Sequence, residues 1–401
     1  MTGKTSNNKM KIAKLRAADD RPYMMNELLQ NIPEGVRGRP ESPRKSLRHY
    51  CRYFLLTKNK IFDILISMKK GEIDLKRKYI FLLIFILSLS GCASGKYTEK
   101  NIFAMDTVMN LKAYGKNTEV ALTAAEAKIN ELDKKFRRGS VDSEIYRLNS
   151  GDDFTPSDDT LNIVKQSVEI SEYTDGAFDI TVAPIMDLWG FYTKNFRVPE
   201  NTEIADALKK TGFENITVNN SKINLKNGAA IDLGGIAKGY TADAVTKILK
   251  DNNIESAIIS LGGNIAAIGT RPDKKPWKVA IQNPDNSGTI GYVSVSDKAV
   301  VTSGGYQRYF ERDGKIYHHI IDSSTGFPAD NTLKSVTVIC DSGTTADALS
   351  TALFVMGYEK AADFYKTHGN FDMILITDDN KIHISSGIQN NFTGGEYEII
   401  G

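Results

Sequence analysis

The chain has 401 residues, 41% of them apolar, with 51 Lys and Arg against 49 Asp and Glu for a formal charge of +2. That size and composition suffice for one large core or two modest ones and exclude a disordered or fibrous chain. Residues 1–67 hold 14 Lys and Arg against 6 Asp and Glu, a net +8 that leaves −6 for the remainder, and an acidic body argues against a nucleic-acid partner.

Residues 1–67 are basic and interrupted by Gly and Pro, with no pattern of a firm fold. From Met68 a basic opening runs into the apolar stretch 79–90, which is short for a membrane span, and the stretch ends Leu89-Ser-Gly-Cys92. This ending resembles a bacterial lipobox, whose Cys is acylated and becomes the mature N-terminus. A short anchor or a buried segment is the alternative, and the small residues before Cys92 favour processing. The expected organisation is an extension at 1–67 outside the mature protein, a lipoprotein signal peptide at 68–91 with translation starting at Met68, a tether at 92–100, and a domain at 101–398. Three cysteines make neither a disulfide framework nor a zinc site, and Cys340, at the end of an apolar strand, reads as packing.

Within the domain, 101–111 reads as a first strand. Leu122, Ala125, Ile129, Leu132 and Phe136 recur every three or four residues, the stripe of a helix laid on a sheet. A short helical piece follows at 142–149, then a helix at 161–173 with Leu161, Val164 and Val168 inward. Residues 175–184, Asp-Gly-Ala-Phe-Asp-Ile-Thr-Val-Ala-Pro, read as a turn entering a strand. Trp189 and Phe191 flank Gly190 and serve either as flat walls for a planar ligand or as core.

Residues 229–233 read as an apolar strand that meets Gly234 and Gly235 and then a helix, a turn at which backbone groups approach a ligand and a helix start favours an anion. Lys238 adds a positive charge there, although the spacing fits neither a dinucleotide fingerprint nor a P-loop, and a structural glycine turn remains open. Residues 256–264 repeat the strand-then-diglycine idea, which hints at two related halves. Strands are expected at 277–282 and 291–296. His319 precedes Asp322 and a Gly-containing turn, the makings of a general base with an orienting carboxylate, whereas His318 points the other way and reads as a surface residue. Residues 344–356 read as a helix capped by Thr344 or Thr345 and ended by Gly357. Asp347 and Thr351 share one of its faces, where they either hold a hard cation such as Mg²⁺ or merely cap and back-bond their own helix. A helix at 358–368 and strands at 371–377 and 381–386 follow. Strands and helices mix without regular alternation, which favours an α+β domain.

Asp232-Leu-Gly-Gly-Ile-Ala-Lys-Gly, His319-Ile-Ile-Asp-Ser-Ser-Thr-Gly and Thr345-Ala-Asp-Ala-Leu-Ser-Thr-Ala, in that order behind a lipobox, closely resemble the ApbE family of FAD:protein FMN transferases. The resemblance extends over about 102–387 and includes the segments at 143–149 and 176–184. It implies an enzyme that binds FAD with Mg²⁺, transfers the FMN half to a Thr or Ser hydroxyl of an exported acceptor protein and releases AMP, while lipid-anchored at a bacterial membrane and facing the periplasm or cell exterior. It further implies that Asp347, Thr351 and the Gly235 carbonyl hold the metal with Ser350 close by. The flavin would be bound by Met105, Ala177, Phe178, Asp179, Asp232, Lys238 and Ile321, and His319 would take the acceptor's proton. Many members carry a Tyr shortly before the Asp142-Ser143 pair, where it covers the flavin, whereas this chain has Arg137-Arg-Gly-Ser-Val there. An FAD pyrophosphatase yielding FMN and AMP is therefore the alternative, and a flavin-binding lipoprotein without turnover is a third reading.

Mass spectrometry of the exported protein should find Cys92 as its lipid-modified first residue. Peptides from residues 1–67 in that form would overturn the assignment.

Overall fold

The computed structural model describes residues 96–285 and 288–401, so the extension, the signal peptide and the first four residues of the expected tether, Cys92 among them, lie outside the described residues. In chain order come β1 (Tyr97–Ala104), β2 (Thr107–Tyr114), α1 (Thr118–Phe136), α2 (Glu144–Asn149), α3 (Asp158–Tyr173), α4 (Ala183–Trp189) and α5 (Asn201–Leu208). A small hairpin follows, β3 (Ile216–Val218) and β4 (Ile223–Leu225), then α6 (Ala237–Asp251), β5 (Ser256–Leu261), β6 (Asn264–Gly269), β7 (Trp277–Gln282), β8 (Thr289–Val295) and β9 (Ala299–Gly304). The last part holds β10 (Tyr309–Arg312), β11 (Lys315–His318), β12 (Leu333–Cys340), α7 (Gly343–His368), β13 (Asp372–Thr377), β14 (Ile382–Ser385), β15 (Phe392–Gly394) and β16 (Tyr397–Ile400).

Nine strands form one sheet in the order β1-β2-β5-β6-β9-β12-β13-β14-β16, and only β14 with β16 is parallel. Each half of the sheet has the same sequence order, two strands, a helical passage, then two strands: β1, β2, β5, β6 and β9, β12, β13, β14. The halves meet along the short β6–β9 pairing, Ile265 with Val300 and Ala266 with Ala299. The expected relation between halves is thus topological, and the second diglycine belongs to the tight turn joining β5 to β6. Alternation builds two cores from one sheet. On β12 and β13, Val336, Val338, Met373 and Leu375 face α7, while Ile339, Ile374 and Ile376 face the small sheet of β15, β8 and β7. The insertion between α1 and α6 packs its own cluster, including Ile145, Ile163 and Ile180, against Ala348 and Ala352 of α7.

Helix α1 buries Leu122, Ala125, Ile129, Leu132 and Phe136, as their spacing predicts. Helix α3 rotates from the expected face: Ile163, Val164, Ser167 and Ile170 are buried, and Leu161 and Val168 only half-buried. The expected strand at 101–111 is a hairpin, because Met105 and Asp106 both adopt left-handed backbone (φ 51° and 57°), the geometry of a two-residue hairpin loop without its usual glycine. β1 starts at Tyr97 and β16 ends at Ile400, so the ordered domain overruns the expected limits of 101 and 398 at both ends. Residues 175–184 turn into a helical segment rather than a strand, since the Asp179 carboxylate accepts from the Thr181 N–H (2.7 Å) and Pro184 suits a helix's first turn. Residues 229–233 join no strand, as the Asn149 side-chain amide takes the role of a neighbouring strand by bonding both the N–H and C=O of Ile231.

Helix α7 breaks at Gly357 (φ 75°, ψ 173°), where the expected second helix begins. Its cap is Ser342 rather than Thr344 or Thr345, reinforced by Asp243 of α6. That carboxylate accepts from the N–H groups of Gly343 (2.6 Å) and Thr344 (2.9 Å) and from the hydroxyls of Ser342 (2.9 Å) and Thr344 (2.7 Å). A carboxylate aimed at orphan amides of a helix start combines capping with charge complementarity. Asp243→Ala should lower unfolding free energy by about 2–4 kcal/mol in urea titration; a loss below about 0.5 kcal/mol would show the cap to be dispensable.

Candidate active site

The opening turns of α6 and α7 touch. A Cβ added at Gly239 would collide with the Gly343 carbonyl and the Asp347 Cβ, so only glycine lets the two helices come this close. The buried Asp347 carboxylate accepts the Gly239 N–H at 2.8 Å, one of the first-turn donors that a helix leaves unpaired. The same approach sets Gly235 against Thr351, since a Cβ at Gly235 would lie 3.4 Å from Thr351 Oγ1 and 3.2 Å from the Phe178 ring. Among the described residues no hydrogen bond ends on the Gly235 carbonyl, because the Gly239 N–H that would reach it goes to Asp347 instead. Asp347, Thr351, Gly235 and Phe178 are therefore brought together. Ser350 is fully buried beside them: it donates to the Asp347 carbonyl (2.8 Å) and shares Ser303 (2.8 Å) with Thr351 (3.3 Å).

The other expected flavin residues surround this point unequally. Met105 holds its turn by an N–H bond to Asp133 (3.1 Å) and rests its sulfur on Thr241 of α6 (3.7 Å). Lys238 extends from the first turn of α6 past the Gly234 carbonyl (3.5 Å). Asp232 accepts from the Gly234 N–H (2.8 Å), shaping the diglycine turn, and faces Arg138 (3.4 Å). Ala177 is half-exposed beside buried Phe178. Asp179 is turned onto Thr181, and burial, with Glu214 nearby, pushes its carboxyl pKa up. Ile321 is buried in the cluster of Trp189 and Phe191. That cluster decides the aromatic pair: both rings are fully buried, and Trp189 donates to the Gly326 carbonyl (2.9 Å), so they are core.

His319 follows β11, and its Nδ1 lies 3.0 Å from the Arg308 carbonyl. A carbonyl only accepts, so Nδ1 carries the proton and Nε2 keeps its lone pair, the tautomer a general base needs. The residue keeps some exposed surface, yet its ring is enclosed enough that burial, and then the Arg308 charge, lower its pKa to about 3. The orienting group is thus a carbonyl and not Asp322, whose carboxylate caps Ser324 instead (2.8 Å). His318 is half-buried rather than a surface residue: Nε2 donates to the Ala329 carbonyl (3.0 Å) and the ring meets Phe354 edge to face. Ser303, Arg138, Asp243 and Arg308 were given no role by the sequence reading, because each acts on a residue elsewhere in the chain. The only local signal was the Ser-Gly-Gly run containing Ser303.

The donor set fits a divalent cation that takes phosphate as its other partner: one carboxylate, one hydroxyl and one otherwise unbonded carbonyl. Among the described residues no group of three or more His, Cys, Asp or Glu offers a richer metal site. Cys340 is buried and free, its thiol pushed up to about 11 by burial, as packing requires.

The chain matches the model of the ApbE family over residues 105–375. It is 34% identical over 300 residues to the FAD:protein FMN transferase of Vibrio cholerae, across 71% of this chain and 89% of that protein. To the FAD:protein FMN transferase of Treponema pallidum it is 30% identical over 334 residues, across 77% and 92%. The fold superimposes on the crystal structure of the ApbE protein of Thermotoga maritima with a TM-score of 0.69 and 34% identity, covering 74% of this chain and 99% of that one.

With His319 lowered from 6.5 to about 3, the folded chain binds fewer protons than the unfolded chain between those values. Stability should therefore fall as pH drops through that window, and His319→Gln should make the decline shallower in urea titrations. An unchanged decline would show that the ring is not held neutral.

Proposed function

Because the chain belongs to the ApbE family, we propose that it is an FAD:protein FMN transferase, moving the FMN half of FAD onto a hydroxyl of an acceptor protein and releasing AMP. The observation that supports this reading is the packing of Asp347 on Gly239 and of Thr351 on Gly235 at the start of α6, with a neutral His319 presenting Nε2. Asp347, Thr351 and the Gly235 carbonyl would hold Mg²⁺, which when bound supplies Lewis-acid polarisation of the diphosphate. His319 Nε2 accepts the proton of the acceptor hydroxyl as that oxygen bonds to the FMN phosphorus. The bond from this phosphorus to the bridging oxygen breaks, and its electron pair leaves with AMP. Lys238 and the N–H groups opening α6 meet the negative charge that builds on the phosphoryl oxygens.

The acceptor group is a Thr or Ser hydroxyl, whose proton a neutral imidazole removes as it attacks. With Cys92 lipidated, the enzyme stands anchored at a bacterial membrane facing the periplasm or cell exterior, and its acceptors are exported proteins. Among the described residues no helix is long and apolar enough to cross a membrane. A second reading, FAD pyrophosphatase, rests on the sequence: the segment after α1 carries Arg138 and Gly139 where many members have a Tyr that covers the flavin, and Tyr192 lies against Arg138 there, its ring 4.2 Å from the guanidinium. Non-catalytic flavin binding is disfavoured by the complete set of Asp347, Thr351 and His319.

Incubation with FAD, Mg²⁺ and exported proteins of the same organism should give a covalently fluorescent protein and AMP. Free FMN with AMP and no labelled protein would instead establish hydrolysis. Asp347→Ala should slow AMP release by about a hundredfold or more, and unchanged, metal-dependent release would remove Asp347 from the site.

A further inference from the structure

Arg308 lies between the short helical turn that follows β9 and the start of β10, and its two ends do different things. Its carbonyl accepts two bonds from His319, one from the backbone N–H (3.0 Å) and one from Nδ1–H (3.0 Å), so the base is hung from the Arg308 main chain. Its side chain turns back, and Nη2 donates to the Phe191 carbonyl at 2.9 Å. Arg137, Arg138, Arg147, Arg197 and Arg271 each meet a carboxylate, whereas among the described residues Arg308 and Arg312 have none, and of these two only Arg308 is tied to His319. An exposed guanidinium is thus held in place by a neutral carbonyl with its charge uncompensated, beside the ring that takes the proton.

We propose that the Arg308 guanidinium is a catalytic group that grips the non-bridging oxygens of the phosphoryl in transfer, on the side from which the acceptor hydroxyl attacks. This rests on the transferase reading above. Charge accumulates on those oxygens during phosphoryl transfer, and a planar guanidinium binds two of them at once. The Phe191 anchor orients the group before substrate arrives, so little reorganisation accompanies the reaction. The same charge adds to burial in keeping His319 unprotonated. The charged and titratable groups acting on that ring are Arg308, His318 and Lys238, all of which disfavour imidazolium. Because the main chain of Arg308 orients the base, side-chain substitution removes the charge and leaves the support in place.

Arg308→Met and Arg308→Lys should be compared with wild type for AMP release from FAD with Mg²⁺, together with FAD binding by flavin fluorescence and thermal stability. Arg308→Met should lose about a hundredfold in kcat while FAD affinity changes about threefold or less, and Arg308→Lys should recover part of the loss. The acid limb of kcat/KM should move up in Arg308→Met, by the part of the depression that burial does not supply, and stay put in Arg308→Lys. A merely structural anchor on Phe191 would lower the melting temperature of both variants and leave that limb unmoved. If Arg308→Met retains kcat within about threefold of wild type, or the limb does not move, the proposal fails. Should Arg308→Met not fold, Arg308→Lys with unaltered kcat and a shifted limb would equally overturn it. Wild-type protein that releases no AMP would instead defeat the transferase reading itself.

Discussion

The structure depends on one close contact, the packing of the first turns of α6 and α7 through Gly239 and Gly343 with the Asp347 carboxylate accepting the Gly239 N–H. Two helix starts, each rich in unpaired donors, would ordinarily be separated by side chains and water. Here glycine removes the side chains, and carboxylates satisfy the donors in both directions. Asp347 of α7 answers α6, and Asp243 of α6 answers α7. The exchange leaves the Gly235 carbonyl without a partner among the described residues and packs Thr351 against Gly235, so the proposed ligand set would arise as a consequence of how the helices are capped.

The electrostatics follow from that arrangement. A single buried carboxylate with neutral oxygens would bind a bare divalent ion weakly and becomes adequate when phosphate completes the shell. Around it, Lys238, Arg308 and the amides opening α6 favour an anion, and a histidine kept neutral by burial can accept a proton without adding its own charge first. The proposed site would thus meet a diphosphate rather than hold a metal on its own account.

The two halves of the sheet explain where the site lies. Each half needs a helical passage between its second and third strands. In the first half that passage is opened by the long insertion containing α2 to α5, and in the second it is α7, broken at Gly357. Helices α6 and α7 are the last and first segments of these passages along the chain, and they meet across the seam between β6 and β9. The insertion then covers the insertion-facing side of α7 with Phe178 and its neighbours. Similar strand orders therefore supply the frame, and the unequal passages supply the chemistry.

Periodicity and local composition determined much of this protein without coordinates. The α1 stripe, the helix carrying Asp347 and Thr351, its stop at Gly357, the glycine turn before Lys238 and the α+β class were all legible, because each is encoded within a few residues of itself. What tertiary structure alone decided were relations between distant segments. The turn at Met105 and Asp106 lacks the glycine that would have marked it, and the helical entry at 180–189 competes with a β-branched run that suggests a strand. Trp189 and Phe191 became core, Ser350 met Ser303, and the partner of His319 proved to be the Arg308 carbonyl, a backbone group that carries no signature in the amino-acid code. A side chain's identity is written locally, whereas its partner is chosen by whichever chain segment packing brings within about 3 Å.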